Sequence, residues 1–157
     1  MRASEDAMKV NCKDVLWLDA HENKYVEEIG TSNAFFRIND EVITAPLDSE
    51  TILPGITRDS VIQLLKYWGV KISERKLSID EIFAAEKNGT LQEIFASGTA
   101  AVISPIGWLN YEGEEHQVAD GKVGPISQKL YDTLYGIQTG TVEDFMGWTY
   151  PLGLKVE

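Results

Sequence analysis

Ala34-Phe-Phe-Arg-Ile38, Asn39-Asp40 and Glu41-Val-Ile-Thr44 form the stretch on which the fold turns. A polar pair between two β-rich runs is a hairpin signal. Upstream, Asp14-Val-Leu-Trp-Leu-Asp19 is a short apolar run between acidic residues and reads as a buried strand. His21-Glu-Asn-Lys24 is a polar turn leading into a further strand, Tyr25-Val-Glu-Glu-Ile29. Together these predict an antiparallel β-meander. Downstream, Pro46 to Pro54 reads as a loop that ends where a helix begins near Thr57. In that helix Val61, Leu64, Leu65 and Trp68 recur at i, i+3, i+4 and i+7, and Gly69 ends it.

A strand is expected over Lys71 to Leu77. Ser78 and Glu81 then form a capping-box pattern for a helix to about Lys87, stopped by Asn88-Gly89. Ala100-Ala-Val-Ile-Ser104 is nearly continuous in small and branched apolar residues, which predicts a central strand covered on both faces. Gly113, Gly121 and Gly124 punctuate a polar section. Pro125 opens a last helix with Ile126, Leu130, Leu134 and Ile137 on one face and Gly140 as its cap. The expected class is α+β (mixed α/β), a meander or pseudo-barrel sheet with packed helices, in one unit without internal repeat or linker.

Composition narrows the function. With 157 residues and 43% apolar content the chain can bury a real core. A net charge of -11 disfavours nucleic acid, because phosphate backbones call for clustered Lys and Arg. Cys12, the single cysteine, makes no internal disulfide and argues against a four-ligand zinc site, so a reducing compartment and no metal are expected. The polar start, Met1 to Asp6, has no apolar run of a signal peptide, and nothing later approaches a membrane span. A cytoplasmic setting is the expectation. His21 and His116 lie in polar contexts without a nucleophile partner and read as surface histidines. Trp17 and Trp68 are expected in the core, and Arg58 is expected to pair with a carboxylate.

Three segments carry chemistry. In Ile52-Leu-Pro-Gly-Ile-Thr-Arg58, Pro54 and Gly55 force a turn, and the helix behind it aims unpaired N–H groups and its positive dipole end at that turn. Phosphate binds readily at such a place, with Gly55 allowing close approach and Ile56 and Thr57 offering N–H groups. Taken alone, the segment favours the plainer reading of Thr57 as a helix cap. In Glu28-Ile-Gly-Thr-Ser-Asn33, strand alternation sends Glu27 and Glu28 to opposite faces, so one carboxylate of the pair turns inward and needs a partner. An edge strand in water would remove that need. In Ser97-Gly-Thr-Ala-Ala101, a small-residue turn exposes successive N–H groups that suit an anion, though a turn with no ligand has the same composition.

These three segments, in this order and at these separations, resemble the carboxyl-terminal half of branched-chain amino acid aminotransferases, the fold-type IV family that uses pyridoxal phosphate. The resemblance runs from Val15-Leu-Trp-Leu-Asp19 to Trp148. It implies that Glu28 meets the pyridine nitrogen, that Leu53 packs on the ring, and that Gly55, Ile56, Thr57 and Thr99 hold the phosphate. It also implies that Gly30, Thr31, Thr99 and Ala100 line the substrate side, the last two through N–H groups to a carboxylate. The implied substrates are leucine, isoleucine or valine with 2-oxoglutarate, and the implied assembly is a homodimer.

In that family the lysine carrying the cofactor belongs to a Lys-x-Gly-Gly-Asn-Tyr stretch, and no lysine here is followed by those residues. Residues 1–157 are therefore expected to be a large-domain fragment, inactive alone, with the lysine and a small domain upstream and no catalytic residue within it. Some members carry Cys-x-x-Cys where Ala101 and Ser104 stand, so no thiol switch is expected. Two other readings are a sibling fold-type IV enzyme (a D-amino acid aminotransferase or an aminodeoxychorismate lyase) and a non-catalytic binding or assembly module. Trp108, Leu109 and Tyr111 would serve either a dimer contact or the substrate pocket.

Overall fold

The meander forms because each of its strands has a face to bury. In the computed structural model, which describes residues 2–150 and 152, β1 (Leu16–Leu18), β2 (Val26–Ile29), β3 (Ser32–Ile38) and β4 (Glu41–Thr44) pair antiparallel in chain order. Asn39, at φ 53, makes the predicted β3–β4 turn. The loop after β4 leads into α2 (Ile56–Tyr67), and β5 (Lys71–Glu74) returns parallel to β4 with Thr44 opposite Glu74. A parallel return needs such a crossover, so α2 is laid across one face of the sheet with its first turn at the Thr44 end.

β6 (Leu91–Gly98) runs along β3 from Asn33 opposite Ser97 to Ile38 opposite Leu91, and β7 (Val102–Ile106) lies beyond it. β3 thus carries β6 on one edge and β2 followed by β4 on the other. The seven-stranded sheet stays open. A separate hairpin, β8 (Trp108–Tyr111) with β9 (Glu114–Gln117), and the helices α1 (Arg2–Lys9), α3 (Ile79–Lys87) and α4 (Pro125–Thr139) complete the fold. No helix among the described residues is long and apolar enough to cross a membrane.

Alternation along β3 explains the two cores. Ala34, Phe36 and Ile38 join Ile82 and Ala85 of α3 on one face, while Phe35 turns to the other with Val61, Leu64 and Leu65 of α2 and Leu130 and Leu134 of α4. Phe35 stacks on Phe95 of β6 at 5.0 Å between ring centres. The helices begin and end as their sequences dictate. The Ser78 hydroxyl accepts from the Glu81 N–H at 3.1 Å, but the Glu81 carboxylate pairs with Arg75 at 2.6 Å and does not complete the capping box. Gly140, at φ 72, closes α4 in the left-handed conformation that glycine adopts without strain. Asp19 closes the turn before β2, accepting N–H groups of Tyr25, Glu22 and Lys24, which hold its pKa down at about 2.

Some expectations fail for identifiable reasons. The Ala100 to Ser104 run is not a central strand: β7 begins only at Val102, pairs only with β6 among the described residues, and carries Pro105, which suits an edge. The central partner of β3 is β6, where Glu93 interrupts the apolar pattern and conceals the strand in the sequence. Trp17 is 38% exposed rather than in the core, with its indole Nε1 donating to the Gly30 carbonyl at 2.9 Å. Trp68 is half-buried, with the Lys129 ammonium 4.0 Å above its ring. The strand expected over Lys71 to Leu77 ends at Glu74.

The N-terminus of α4 rests on a buried acid. Glu93, 3% exposed, accepts Arg37 Nη1 at 2.9 Å and the Ile126 N–H at 3.1 Å on Oε1, and the Ser127 N–H and hydroxyl at 2.8 and 2.7 Å on Oε2. It does for α4 what a capping side chain does, from a neighbouring strand. Gly124 carries no side chain where a Cβ would overlap that carboxylate.

Candidate functional site

Three turns meet at one end of the sheet. The β2–β3 hairpin turns through Gly30 and Thr31, with Gly30 at φ 58, a conformation its lack of Cβ permits. Asn33, two residues into the next strand, pairs with Glu28 on one side and Ser97 on the other, which aligns one residue from each of three strands. Asn33 and Ser97 share strand parity with Phe35 and Phe95, so this row faces α2. Gly98 then leads into the Thr99-Ala100-Ala101 turn, beside the Ser32 hydroxyl.

Strand alternation predicts opposite faces for Glu27 and Glu28, and a bulge overrides it. Leu16 pairs with Ile29 and Leu18 with Val26, so β2 spends one residue more than β1 over the same length. Val26 and Ile29 both reach the core, and both glutamates reach the 51–53 segment. The Thr51 hydroxyl donates to Glu27 Oε1 at 2.7 Å, and the Leu53 N–H donates to Glu28 Oε1 at 3.1 Å. Glu28 is half-buried. Its other oxygen, Oε2, has no hydrogen-bond partner among the described residues, while Oε1 also lies 3.4 Å from Asn33 Nδ2.

The turn itself is short and braced. The Gly55 N–H donates to the Leu53 carbonyl at 2.8 Å, the same oxygen accepts Asn33 Nδ2 at 2.8 Å, and a Cβ on Gly55 would overlap Asn33 Oδ1. Gly55 is the residue before α2 and supplies no side-chain cap, so the Thr57 hydroxyl, one residue inside the helix start, is not the cap. Leu53 and Ile56 stand 67% and 88% exposed. Arg58 is buried and holds the first turn of α2 to the ends of β4 and β5, donating from Nη2 to the Ala45 carbonyl and to Glu74 at 2.8 Å each. The carboxylate partner expected for Arg58 is Glu74.

Thr31, Thr99 and Ala100 are exposed around this end of the sheet. Ser97 is 1% exposed, and its hydroxyl is a buried polar atom without a partner among the described residues. Buried hydroxyls are seldom left unpaired, and this one lies in the row that faces the α2 helix. The expected site residues Glu28, Gly30, Leu53, Gly55, Ile56, Thr57, Thr99 and Ala100 thus fall on elements that meet at one end of the sheet. Asn33 and Ser97 stand in the sequence motifs without an expected role. Counting strand parity outward from Phe35 would have placed Asn33 on the face of the helix.

Chemically, this end of the sheet combines a helix's opening N–H groups with hydroxyls at Thr57 and Thr99, an orphaned hydroxyl at Ser97, and a carboxylate with one oxygen engaged and the other open. That donor set suits a phosphate, and the open oxygen suits a protonated ring nitrogen. Fold and site define an α+β domain whose candidate site lies at one end of its sheet. The Amino-transferase class IV family matches residues 1–107, and the chain belongs to that family.

Branched-chain-amino-acid aminotransferase 2 of Bacillus subtilis (strain 168) is 51% identical over 157 residues, covering all of this chain and 43% of that protein. The branched-chain-amino-acid aminotransferase of Mycobacterium tuberculosis is 42% identical over 155 residues, 96% of this chain and 42% of that protein. The solved branched-chain amino acid aminotransferase of Escherichia coli superposes with a TM-score of 0.77 at 31% identity, covering 96% of this chain and 47% of that one. A second Escherichia coli structure of that enzyme gives 0.75 at 33% identity, over 92% and 43% of the two chains. The chain spans less than half the length of these relatives.

Proposed function

We propose that this chain is the large-domain portion of a pyridoxal phosphate-dependent branched-chain amino acid aminotransferase, exchanging amino groups between leucine, isoleucine or valine and 2-oxoglutarate. The reading rests above all on the Glu28–Asn33–Ser97 row, joined through Asn33 and Leu53 to the turn that opens α2. Relatives that are 42% to 51% identical and carry the branched-chain name support the substrate class.

In this proposal the Ile56 and Thr57 N–H groups, the Thr57 hydroxyl and Thr99 take the phosphate, and Gly55 lets it approach the backbone. The exposed Leu53 side chain would flank the cofactor ring, and Glu28, whose Oε1 is held by the Leu53 N–H, would receive the ring N–H on Oε2. Pyridoxal phosphate, when bound, supplies an electron-accepting ring that lets the substrate's α-proton leave. The Thr99 and Ala100 N–H groups orient the substrate carboxylate, while Gly30 and Thr31 border the same space. The base that moves the α-proton, a lysine, and the remaining pocket walls would come from the rest of the full-length protein.

The test is an assay of the full-length protein with pyridoxal phosphate, offering leucine, valine and D-alanine in turn with 2-oxoglutarate. Turnover of leucine and valine at least about 100-fold above D-alanine in kcat/KM is expected, since a pocket shaped for one hand and branch discriminates by a few kcal/mol. A preference for D-alanine would assign the chain to a sibling enzyme instead.

A further inference from the structure

We propose that Asn33 is the positioning residue of this site: its side-chain amide ties the Glu28 carboxylate to the turn that opens α2, so the acid and the helix amides are held in one fixed relation. The proposal rests on the functional reading above and names the residue that sets its geometry.

The contacts are mutual. Asn33 Nδ2 donates to the Leu53 carbonyl at 2.8 Å and lies 3.4 Å from Glu28 Oε1, and the Leu53 N–H closes the ring by donating to the same Oε1 at 3.1 Å. Both neighbours of Nδ2 are acceptors, so the amide has one orientation; turned over, its oxygen would face a carbonyl and a carboxylate. Its Oδ1 fills the space that a Cβ on Gly55 would need, which fits the residue against the turn from a second direction. The main chain of Asn33 is itself fixed, paired with Glu28 and Ser97 in the sheet, and the residue is 5% exposed.

The amide engages Oε1 alone. Oε2 keeps no partner among the described residues, so a ligand donor meets an oxygen whose direction has already been set. Ordering a flexible glutamate at the moment of binding would otherwise cost side-chain entropy. Aspartate cannot replace Asn33, because it lacks the donor for the Leu53 carbonyl and sets a second carboxylate beside Glu28.

The experiment titrates the full-length protein with pyridoxal phosphate, reading the Kd and the pH midpoint of the bound cofactor's visible absorption band. Asn33→Ala should raise the Kd about tenfold and move the band midpoint in the same direction as Glu28→Gln. Gly55→Ala, which keeps the amide but crowds it, should move the midpoint the same way by less, and it decides the matter should Asn33→Ala not fold. A lower melting temperature with an unmoved midpoint in these variants would make Asn33 a packing residue and overturn the proposal. If Glu28→Gln also leaves the midpoint unmoved, the role given to Glu28 fails and this proposal with it. Absence of cofactor binding by the unmutated protein would instead sink the functional reading itself.

Discussion

Glu28→Gln in the full-length protein will lower kcat for leucine by about 100-fold or more, with the melting temperature little changed. The contrast follows from which oxygen does what. Oε1 accepts the Leu53 N–H at 3.1 Å and sits near Asn33 Nδ2, and a glutamine carbonyl oxygen can do both. The turn therefore stays in place. The replacement puts an NH2 group where Oε2 was, and a donor there cannot receive a protonated ring nitrogen. The ring then loses the positive charge that draws electrons from the substrate's α-carbon. Steady-state kinetics beside thermal melts will separate the two effects. A loss of stability equal to the loss of rate would mean that Glu28 only supports the turn, and unchanged kinetics would remove it from the site.

Glu93→Ala is expected to produce the largest loss of stability, about 3–5 kcal/mol, because it leaves buried donors without an acceptor and removes the partner of Arg37. Four donors converge on this carboxylate: Arg37, the Ile126 and Ser127 N–H groups, and the Ser127 hydroxyl. Glu93→Gln should recover little. Each carboxylate oxygen already accepts at least one donor that cannot rotate away, so the glutamine NH2 group faces an N–H whichever way it turns. Urea denaturation of the full-length protein measures this as a fall in midpoint at unchanged slope. Near-native stability for Glu93→Gln would show that packing of α4, rather than these hydrogen bonds, fixes the helix on the sheet.

Much of the fold is legible in the sequence. The hairpin at Asn39-Asp40, the caps at Ser78 and Gly140, and the apolar stripes of α2 and α4 depend on local chemistry, and they appear where the residues place them. What escaped the sequence was set by pairing over distance. β6 hid behind Glu93, whose burial makes sense only once Arg37 lies across from it and α4 begins above it. The bulge that brings Glu27 and Glu28 to the same loop depends on the length of β1, which cannot be counted from β2 alone.

The site divides in the same way. Its motifs could be read in order along the chain, because a Pro-Gly turn before a helix and a Gly-Thr turn after a strand are local signals. Their meeting could not, since it depends on β3 standing between β2 and β6. Asn33 went unassigned for that reason: its partners Leu53 and Gly55 are distant in the chain, and only the register of β3 faces it toward them. Trp17 misled because indole area argues for burial, whereas its Nε1 takes the Gly30 carbonyl at the exposed rim.

A crystal structure of the full-length protein with pyridoxal phosphate tests the central claim most directly. The account predicts the phosphate on the Ile56 and Thr57 amides, the Thr99 hydroxyl beside it, and the ring nitrogen within about 3 Å of Glu28 Oε2. A phosphate bound elsewhere, or a ring nitrogen facing a residue other than Glu28, would contradict it.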